Sequence, residues 1–312
     1  PCVSSGTPAC AVGSPVGTPT VVPSLDSRML PYMALWPVAN GPNVGGGIAT
    51  LTASPKQSIR EDFSTSRLEH KISEKDTASM AYTFDDGVNF TPTPDPLFGN
   101  TTRNRAQVFS IQEIHTFSPQ VLNTARVGFS RSHSIANANT LPSVPANLGM
   151  VQGQQPGQIV IGGGGGGAAA SGAASSIVNS GSGQRGINEN VKNLYTLQDD
   201  ALIIRGKHQF SFGGWVQRIQ TNANTRDFQL GQATFASLLA FLQGNGTSFT
   251  GAPSYTFMYW RQTEGAWYAQ DSLQLRSNLT VRIGLRHEFT NGWNEDLGRA
   301  AQFIPDANGV LQ

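Results

Sequence analysis

The chain is poor in charge: only 13% of its 312 residues are Asp, Glu, Lys or Arg, against about 25% in typical soluble domains. The formal net charge is +1, which argues against a nucleic-acid partner because phosphate binding requires clustered cations. The sequence contains no run of about 18 apolar residues, so a membrane-spanning helix is excluded. That exclusion does not cover transmembrane β-strands, which need only about 9 to 11 alternating residues each.

Patterns typical of enzyme and metal sites are also missing. There is no Cys-x-x-Cys or His-Glu-x-x-His, and the glycine run ending at Gly167 is followed by alanine rather than by the Lys of a phosphate loop. Glu113 and His115 share one strand face, but two ligands are too few for a defined metal site. We interpret them as part of a solvated lumen wall. The sequence therefore predicts no enzyme activity, no catalytic residue, no metal and no cofactor.

Cysteine is scarce, with Cys2 and Cys10 close together in a segment rich in Pro, Gly and Ser. In an oxidising compartment the two would form a small loop disulfide, and two unpaired thiols are the alternative. The chain begins without Met, a basic region or an apolar signal region, so we expect a mature protein or an internal fragment of a longer one.

Paired segments of alternating residues are abundant. Each pair is joined by a short turn that contains Gly, Pro, Asn, Ser or Asp, which is the expected punctuation of a β-hairpin. The pairs are 58–70 with 77–86, 104–117 with 121–133, 191–204 with 208–221, and 263–275 with 279–290. Each strand has about 10 to 14 residues, against about 5 to 6 in soluble sheets, and this length suits a tilted strand that crosses a membrane.

Long connections separate the pairs, at residues 87–103, 134–190 and 222–262. Loops of this length are uncommon in compact soluble domains, whereas short turns at one end and long loops at the other are typical of an outer-membrane barrel. We therefore divide the chain into an extracellular loop or irregular segment over 1–57 and a partial outer-membrane β-barrel over 58–312. The predicted fold class is all-β, with antiparallel hairpins.

Alternation predicts which side chains face which environment. Side chains along a strand point to opposite faces, so rows such as Leu279, Val281, Ile283 and Leu285 predict an apolar outside. The opposite rows predict a polar lumen, and its candidate residues are Arg126, Arg282, Arg286 and Glu288. Asp271 is a misfit in an apolar row. Its position near a short turn places it at the membrane interface, where a lipid-facing charge costs about 0 to 1 kcal/mol.

The connection 222–262 is rich in aromatic residues. Within QATFASLLAFLQG, the apolar residues from Phe235 to Leu242 have a helical spacing, which predicts a short helix over the barrel mouth. Four further aromatic residues are predicted near the rim: Tyr255, Phe257, Tyr259 and Trp260. These residues have two open interpretations. One is an aromatic girdle together with a loop core, and the other is a ligand-facing platform.

One hairpin carries a resemblance to a known family. YAQDSLQLRSNLTVRIGLRHEF, which begins at Tyr268, resembles barrel hairpins of TonB-dependent outer-membrane receptors, with His287 in place of a more usual Tyr. SRLEHKISEKDTASMAYTFDDG and FSPQVLNTARVGFSRS are similar to hairpins of the large Oar-like receptors, which often carry a carboxypeptidase-regulatory-like domain. The resemblance covers roughly residues 51–294 through its hairpins, and the long loops carry no recognisable pattern.

The resemblance implies a barrel of about 22 strands with an N-terminal plug, which binds and imports a large nutrient such as a siderophore or an oligosaccharide. This chain has about eight strands, no plug and no TonB box. We therefore expect contact with the TonB complex through a missing N-terminal part of the parent. The other expected partners are outer-membrane lipid and an unidentified ligand, in the outer membrane of a Gram-negative bacterium.

The sequence is also compatible with two other functions. A surface adhesion or export platform would display the same loops without carrying a nutrient, and a soluble β-rich module would bind a ligand without any membrane. Eight strands taken from a larger barrel leave two unpaired edges, so a curved open sheet and a strained small closure are both compatible with the sequence.

Overall fold

Eight long antiparallel strands form the body of the protein. The computed structural model describes residues 9–10, 19–20, 22–45, 48–141, 143–162, 177–181, 183, 185–252, 255 and 257–301. The long strands are β1 (Ser58–Lys71), β2 (Asp76–Pro92), β3 (Phe98–Ser118), β4 (Val121–Thr140), β5 (Asn188–Arg205), β6 (His208–Thr225), β7 (Met258–Arg276) and β8 (Leu279–Thr290). They are hydrogen-bonded in chain order from β1 to β8. The predicted all-β class and antiparallel hairpins are confirmed.

The sheet is open. Among the described residues, β1 and β8 lie at its two edges and do not pair with each other, so the barrel is not closed within this chain. Such an edge exposes unpaired backbone N–H and C=O groups. Of the two arrangements that the sequence left open, the structure has the open sheet.

Short turns join the strands at one end of the sheet, which we call the turn end. The connections there are residues 72–75, 119–120, 206–207 and 277–278, as the hairpin patterns predict. Gly206 has a φ of +63°, a conformation that glycine adopts without the steric cost of a Cβ. At the opposite end, which we call the outward end, the connections between strands are residues 93–97, 141–187 and 226–257.

The predicted loop 87–103 is wrong in its extent. The β2–β3 ladder continues from Gly87 paired with Asn104 to Pro92 paired with Gly99, which leaves only residues 93–97 as the connection. Asn and Pro indicated a loop, but Pro92 is the last residue of its strand, where the missing N–H breaks no interior ladder. The strands also extend into the predicted loops 134–190 and 222–262, because pairing continues past both of their ends.

The two faces of the sheet differ in chemistry. One, which we call the apolar face, carries Met80, Ile111, Val127 and Leu197 in one register-matched row. Large side chains on this face are exposed, for example Ile283 at 72%, Leu285 at 65% and Leu197 at 61%. The other, which we call the polar face, carries Arg126, Asp200, Tyr268 and Arg286. A broad exposed apolar surface of this kind needs a non-aqueous environment.

An aromatic row crosses four strands of the apolar face. Tyr82 pairs with Phe109, Phe109 with Phe129, and Phe129 with Tyr195. The rings of Phe129 and Tyr195 are in contact, with centroids 5.1 Å apart. Aromatic residues concentrate at membrane–water interfaces, so this row has the composition of a girdle. Sequence reasoning placed a girdle among the loop aromatics and missed this one, because cross-strand register is not readable from the sequence.

The buried apolar core lies outside the sheet, at the outward end. Its members come from the segment before β1, from the first residue of β3 and from the outward connections: Val22, Leu35, Phe98, Val144, Leu148, Ile159, Ile161, Phe235, Leu238, Phe241 and Leu242. We call this assembly the cap. Predicted helical spacing is confirmed in it, because residues Leu238–Leu242 form an α-helix with Ser237 as N-cap.

Smaller elements complete the cap. The strands Gln158–Ile161, Gln232–Phe235 and Ser248–Thr250 form a three-stranded sheet, and 3₁₀ helices span Ser27–Leu35 and Ala146–Leu148. Short strands Ala9–Cys10 and Pro19–Thr20 form one pair, Asn43–Gly45 and Ile48–Ala49 another, and Asn294–Glu295 pairs with β7. In the part of the chain that the structure describes, no helix has both the length and the apolar character required to cross a membrane.

Candidate functional site

A hydrogen-bonded network lies at the centre of the polar face, with Asp200 of β5 as its hub. Its Oδ2 accepts from Arg126 Nη1 at 3.1 Å and from Gln198 Nε2 at 2.8 Å, and its Oδ1 accepts from the Tyr268 hydroxyl at 2.9 Å. Arg126 also donates from Nε to Gln112 Oε1 at 2.7 Å. The network therefore joins β3, β4, β5 and β7 into one polar wall.

The Tyr268–Asp200 hydrogen bond spans an intervening strand. Residue 213 of β6 lies between the two, and pairs with Asp200 on one side and with Tyr268 on the other. It is glycine, and a Cβ at this position would collide with Asp200 Oδ1 and with the Tyr268 ring. Gly213 therefore provides the gap through which the tyrosine reaches the carboxylate.

The four predicted lumen residues all lie on the polar face. Arg126 belongs to the network, and Arg286 pairs in register with Tyr268 and donates from Nε to Glu288 Oε1 at 2.7 Å. Arg282 lies on the same face in β8, opposite Ser272. That this face lines a lumen stays a prediction, because the sheet is open. The face offers donors and acceptors suited to water or to a hydrophilic solute.

Glu113 and His115 lie on the opposite face from the one expected of lumen residues. They share the apolar face with Ile111, near the turn end, so they and the four candidate lumen residues cannot line the same lumen. Asp76 of β2 joins them, and one ligand atom from each of the three lies within 4.8 Å of the others. His115 Nδ1 and Asp76 Oδ1 are 2.5 Å apart, so a hydrogen bond already explains this contact.

An apolar pocket of about 450 Å³ opens in the cap. Trp36 forms part of its wall, its ring packed edge-to-face against Phe241 at 5.5 Å, while its indole N–H donates to Val178 O at 2.7 Å. The remaining lining residues are mostly apolar and come from several connections: Met33, Pro37, Ala39, Ile48, Ala49, Thr50, Leu51, Pro94, Ile161, Ile177, Val178, Leu238 and Phe241. A volume of this order is typical of small-ligand sites.

The four residues of the predicted aromatic platform do not all lie on one surface. Tyr255 and Phe257 are exposed at the rim in an edge-to-face pair 5.8 Å apart, and the Arg226 guanidinium lies 3.9 Å from the Tyr255 ring centroid. Tyr259 and Trp260 belong to β7, where adjacent side chains point to opposite faces. Only Tyr255 and Phe257 thus form one surface, and a ligand-binding role for the four stays a prediction.

Tyr259 is held in place by Glu295. The backbone N–H of Tyr259 donates to Glu295 Oε1 at 2.9 Å, and Arg299 donates to the same oxygen while its guanidinium lies 5.1 Å from the tyrosine ring. The Arg299 side chain, with backbone N–H groups of three residues, holds the pKa of Glu295 low, at about 2. Tyr259 is therefore a structural contact of the outward end.

Asp95, between β2 and β3, is a buried carboxyl in the cap. Its Oδ1 accepts from Leu97 N at 3.0 Å, while among the described residues Oδ2 has no hydrogen-bond partner. Burial raises its pKa to about 6, from the ordinary value of about 3.9. The folded state therefore binds this proton more tightly than the unfolded state does.

We expect Asp95→Asn to stabilise the cap above pH 6 and to change little below pH 4. A raised carboxyl pKa means that stability is greatest while Asp95 is protonated in both states, falls as the pH rises from about 4 to 6, and stays lower beyond. Hydrogen exchange of the Leu97 and Phe98 amides, which donate to Asp95, should slow by up to about 100-fold at pH 7. The charge of Glu295 is stabilised by its hydrogen-bond donors, so Glu295→Gln should instead accelerate the exchange of nearby amides. Equal protection factors at pH 4 and pH 7 in both Asp95 forms would contradict the assignment.

The proposed Cys2–Cys10 disulfide cannot be located, since Cys2 lies outside the described residues and only the backbone of Cys10 is described. It stays a prediction.

Comparison with known proteins agrees with the fold. The family model described as "Outer membrane beta barrel domain" matches residues 3–312. A solved structure of the outer membrane transporter YddB from Escherichia coli is similar, with 12% sequence identity and a TM-score of 0.49 over 80% of this chain and 30% of that chain. This chain thus spans under a third of that structure's length. No match was found among curated protein sequences. The family match confirms the predicted outer-membrane location.

Proposed function

The chain belongs to the outer membrane beta barrel domain family, and we propose that it is part of a TonB-dependent, Oar-like receptor that binds and imports a large nutrient. The observation that carries this proposal is the arrangement along the strands. A cap with its own apolar core and pocket lies at the outward end, and a polar wall runs along one face of the sheet. A receptor requires both an outward capture site and a hydrophilic path.

The two parts suit different steps of import. The cap pocket binds an apolar or amphipathic portion of the ligand by burying it against Trp36 and its neighbours. The Asp200 network offers alternating donors and acceptors to the hydrophilic portion, or to the water that accompanies it. A siderophore or an oligosaccharide has both kinds of surface. In this proposal the chain performs no chemical reaction on its ligand.

The TonB dependence rests on the sequence resemblance. The hairpin of β7 and β8 carries the residues that resemble the family pattern, including Tyr268, Gln270, Asp271, Gly284 and Arg286. Among these residues, Tyr268 completes the Asp200 network through its hydroxyl group. Energy coupling itself would depend on the plug and TonB box of a longer parent protein.

Substrate uptake tests the proposal. A strain lacking the gene should lose uptake of one member of a panel of labelled siderophores and oligosaccharides, and the intact gene should restore it. Uptake should also disappear in a strain with the gene but without the inner-membrane TonB complex. Unchanged uptake of every panel member, together with lost adhesion to surfaces or cells, would instead favour the adhesion platform.

A further inference from the structure

Charged side chains on the apolar face are unequally distributed between its two ends. Acids occur at both ends of this face: Asp76, Glu113, Asp199 and Asp271 lie towards the turn end, and Asp62, Asp86 and Glu189 lie towards the outward end. Arginines concentrate at the outward end, where the face carries Arg103, Arg105, Arg131, Arg218 and Arg261. The face that contacts lipid is therefore basic at its outward boundary.

Three of these arginines lie outward of the aromatic row, and Arg103 is three same-face residues beyond Phe109. Arg131 is the next residue outward from Phe129 on the same face of β4, and Arg105 is two such steps outward from Phe109 in β3. One step is about 7 Å along a strand. Aromatic side chains mark the level of lipid headgroups, so Arg131 lies next to that level and Arg105 and Arg103 lie two and three steps outward of it.

A buried carboxylate fixes two of the guanidinium groups. Asp86 is 4% exposed and accepts from Nε and Nη2 of both Arg103 and Arg105, at distances from 2.8 to 3.3 Å. The two arginine side chains remain 49% and 42% exposed. Arg131, on the neighbouring strand, donates from Nη1 to Asn193 Oδ1 at 3.0 Å. Arg103, Arg105 and Arg131 outnumber Asp86, so the group keeps a net positive charge. Asp62, which pairs in register with Asp86, is itself neutralised by an ion pair with Arg60 at 2.8 Å.

We propose that Arg103, Arg105 and Arg131 form a docking site for the phosphate of a phosphorylated glycolipid in the outer leaflet. Guanidinium is planar and binds phosphate oxygens through two parallel N–H groups, and here Asp86 orients two guanidiniums before any ligand arrives. The adjacent aromatic and aliphatic side chains contact the acyl chains of the same lipid. The occupant is a lipid because the site continues directly into the exposed apolar face.

The test measures binding of diphosphorylated lipid A to the detergent-solubilised full-length protein. Arg103→Gln/Arg105→Gln/Arg131→Gln should weaken binding by about tenfold or more, since each lost contact is a charge-assisted hydrogen bond. That variant leaves Asp86 buried without a cation, so a second variant adds Asp86→Asn to relieve the unpaired charge. The matched control is Arg205→Gln, on the same face at the turn end, and it should bind as the unaltered protein does.

Each other outcome overturns the proposal. Full binding by both arginine variants would show that the cluster takes no part. Equal binding of dephosphorylated lipid A would show that acyl contact alone is responsible, and displacement of the lipid by excess inorganic phosphate would show a site for free anions. Loss of binding only in Arg205→Gln would move the site to the turn end.

The inference rests on the outward orientation in the proposed function. Its failure can nevertheless be distinguished from a failure of that function. Binding in micelles does not depend on orientation or on import. A receptor that loses uptake without TonB but does not bind lipid A would retain the proposed function and lose this site. Lipid binding with no uptake of any nutrient would retain this site and contradict the proposed function.

Discussion

Replacing Phe241 with alanine is expected to open the cap while leaving the strands intact. Phe241 is fully buried and packs edge-to-face against Trp36 at 5.5 Å and Phe235 at 5.2 Å, so truncation removes the ring that joins the helix to the rest of the cap core. A buried Phe→Ala change typically costs about 3 to 5 kcal/mol. Limited proteolysis of intact cells should then cleave the outward connections, and ligand binding should fall, while heat-modifiable gel migration is retained.

The matched control is Phe249→Ala. Phe249 lies in the same outward connection but is 57% exposed, so its truncation should leave both proteolysis and ligand binding nearly unchanged. If Phe241→Ala abolishes heat-modifiable migration as well, then the cap and the sheet are one cooperative unit, and the separation between an outward core and a strand body is wrong. If neither property changes, the buried cap core is contradicted.

Replacing Gly213 with alanine is expected to break the polar wall at Tyr268. The new methyl group would occupy the gap between Tyr268 and Asp200, so these two side chains must separate and lose their 2.9 Å hydrogen bond. A hydrogen bond to a charged group contributes about 1.5 to 3 kcal/mol. Urea unfolding of the protein in lipid vesicles should show a loss of this order, and ligand uptake should decrease.

Gly128→Ala is the control for this substitution. It lies on the same face of an interior strand, and its Cβ would be 3.6 Å from the nearest atom, an ordinary contact with Thr196. Tyr268→Phe provides a second check, because it removes the same hydrogen bond without the methyl group. Gly213→Ala and Tyr268→Phe combined should cost little more than either alone, since both act through one bond. Additive losses would mean that Gly213 acts elsewhere.

The hairpins were predictable because their signals are local. Turn residues flank alternating runs within about 30 residues of chain, and the resulting β7–β8 and β5–β6 pairs lie where the sequence placed them. Strand ends were less predictable. Gly99 and Asn100 are residue types depleted in strands, yet they belong to β3, because the ladder with β2 continues to them.

The face of each side chain was partly predictable. Alternation assigned Arg126, Arg286 and Glu288 to one face, and the structure brings them to that face. The same rule was misapplied to Glu113 and His115. They alternate with Gln112 and Ile114, so either face could have been the polar one, and only pairing with β4 shows that they lie on the same face as Val127.

The sequence by itself determined an all-β chain of long, tilted hairpins with one apolar and one polar row, since periodicity and turn chemistry act over neighbouring residues. Tertiary structure alone decided which rows meet across strands. Register sets Tyr268 opposite Gly213 and Asp200, aligns Tyr82, Phe109, Phe129 and Tyr195, and places two arginines on Asp86. The physical reason is that each depends on contacts between residues tens of positions apart, which no local pattern encodes.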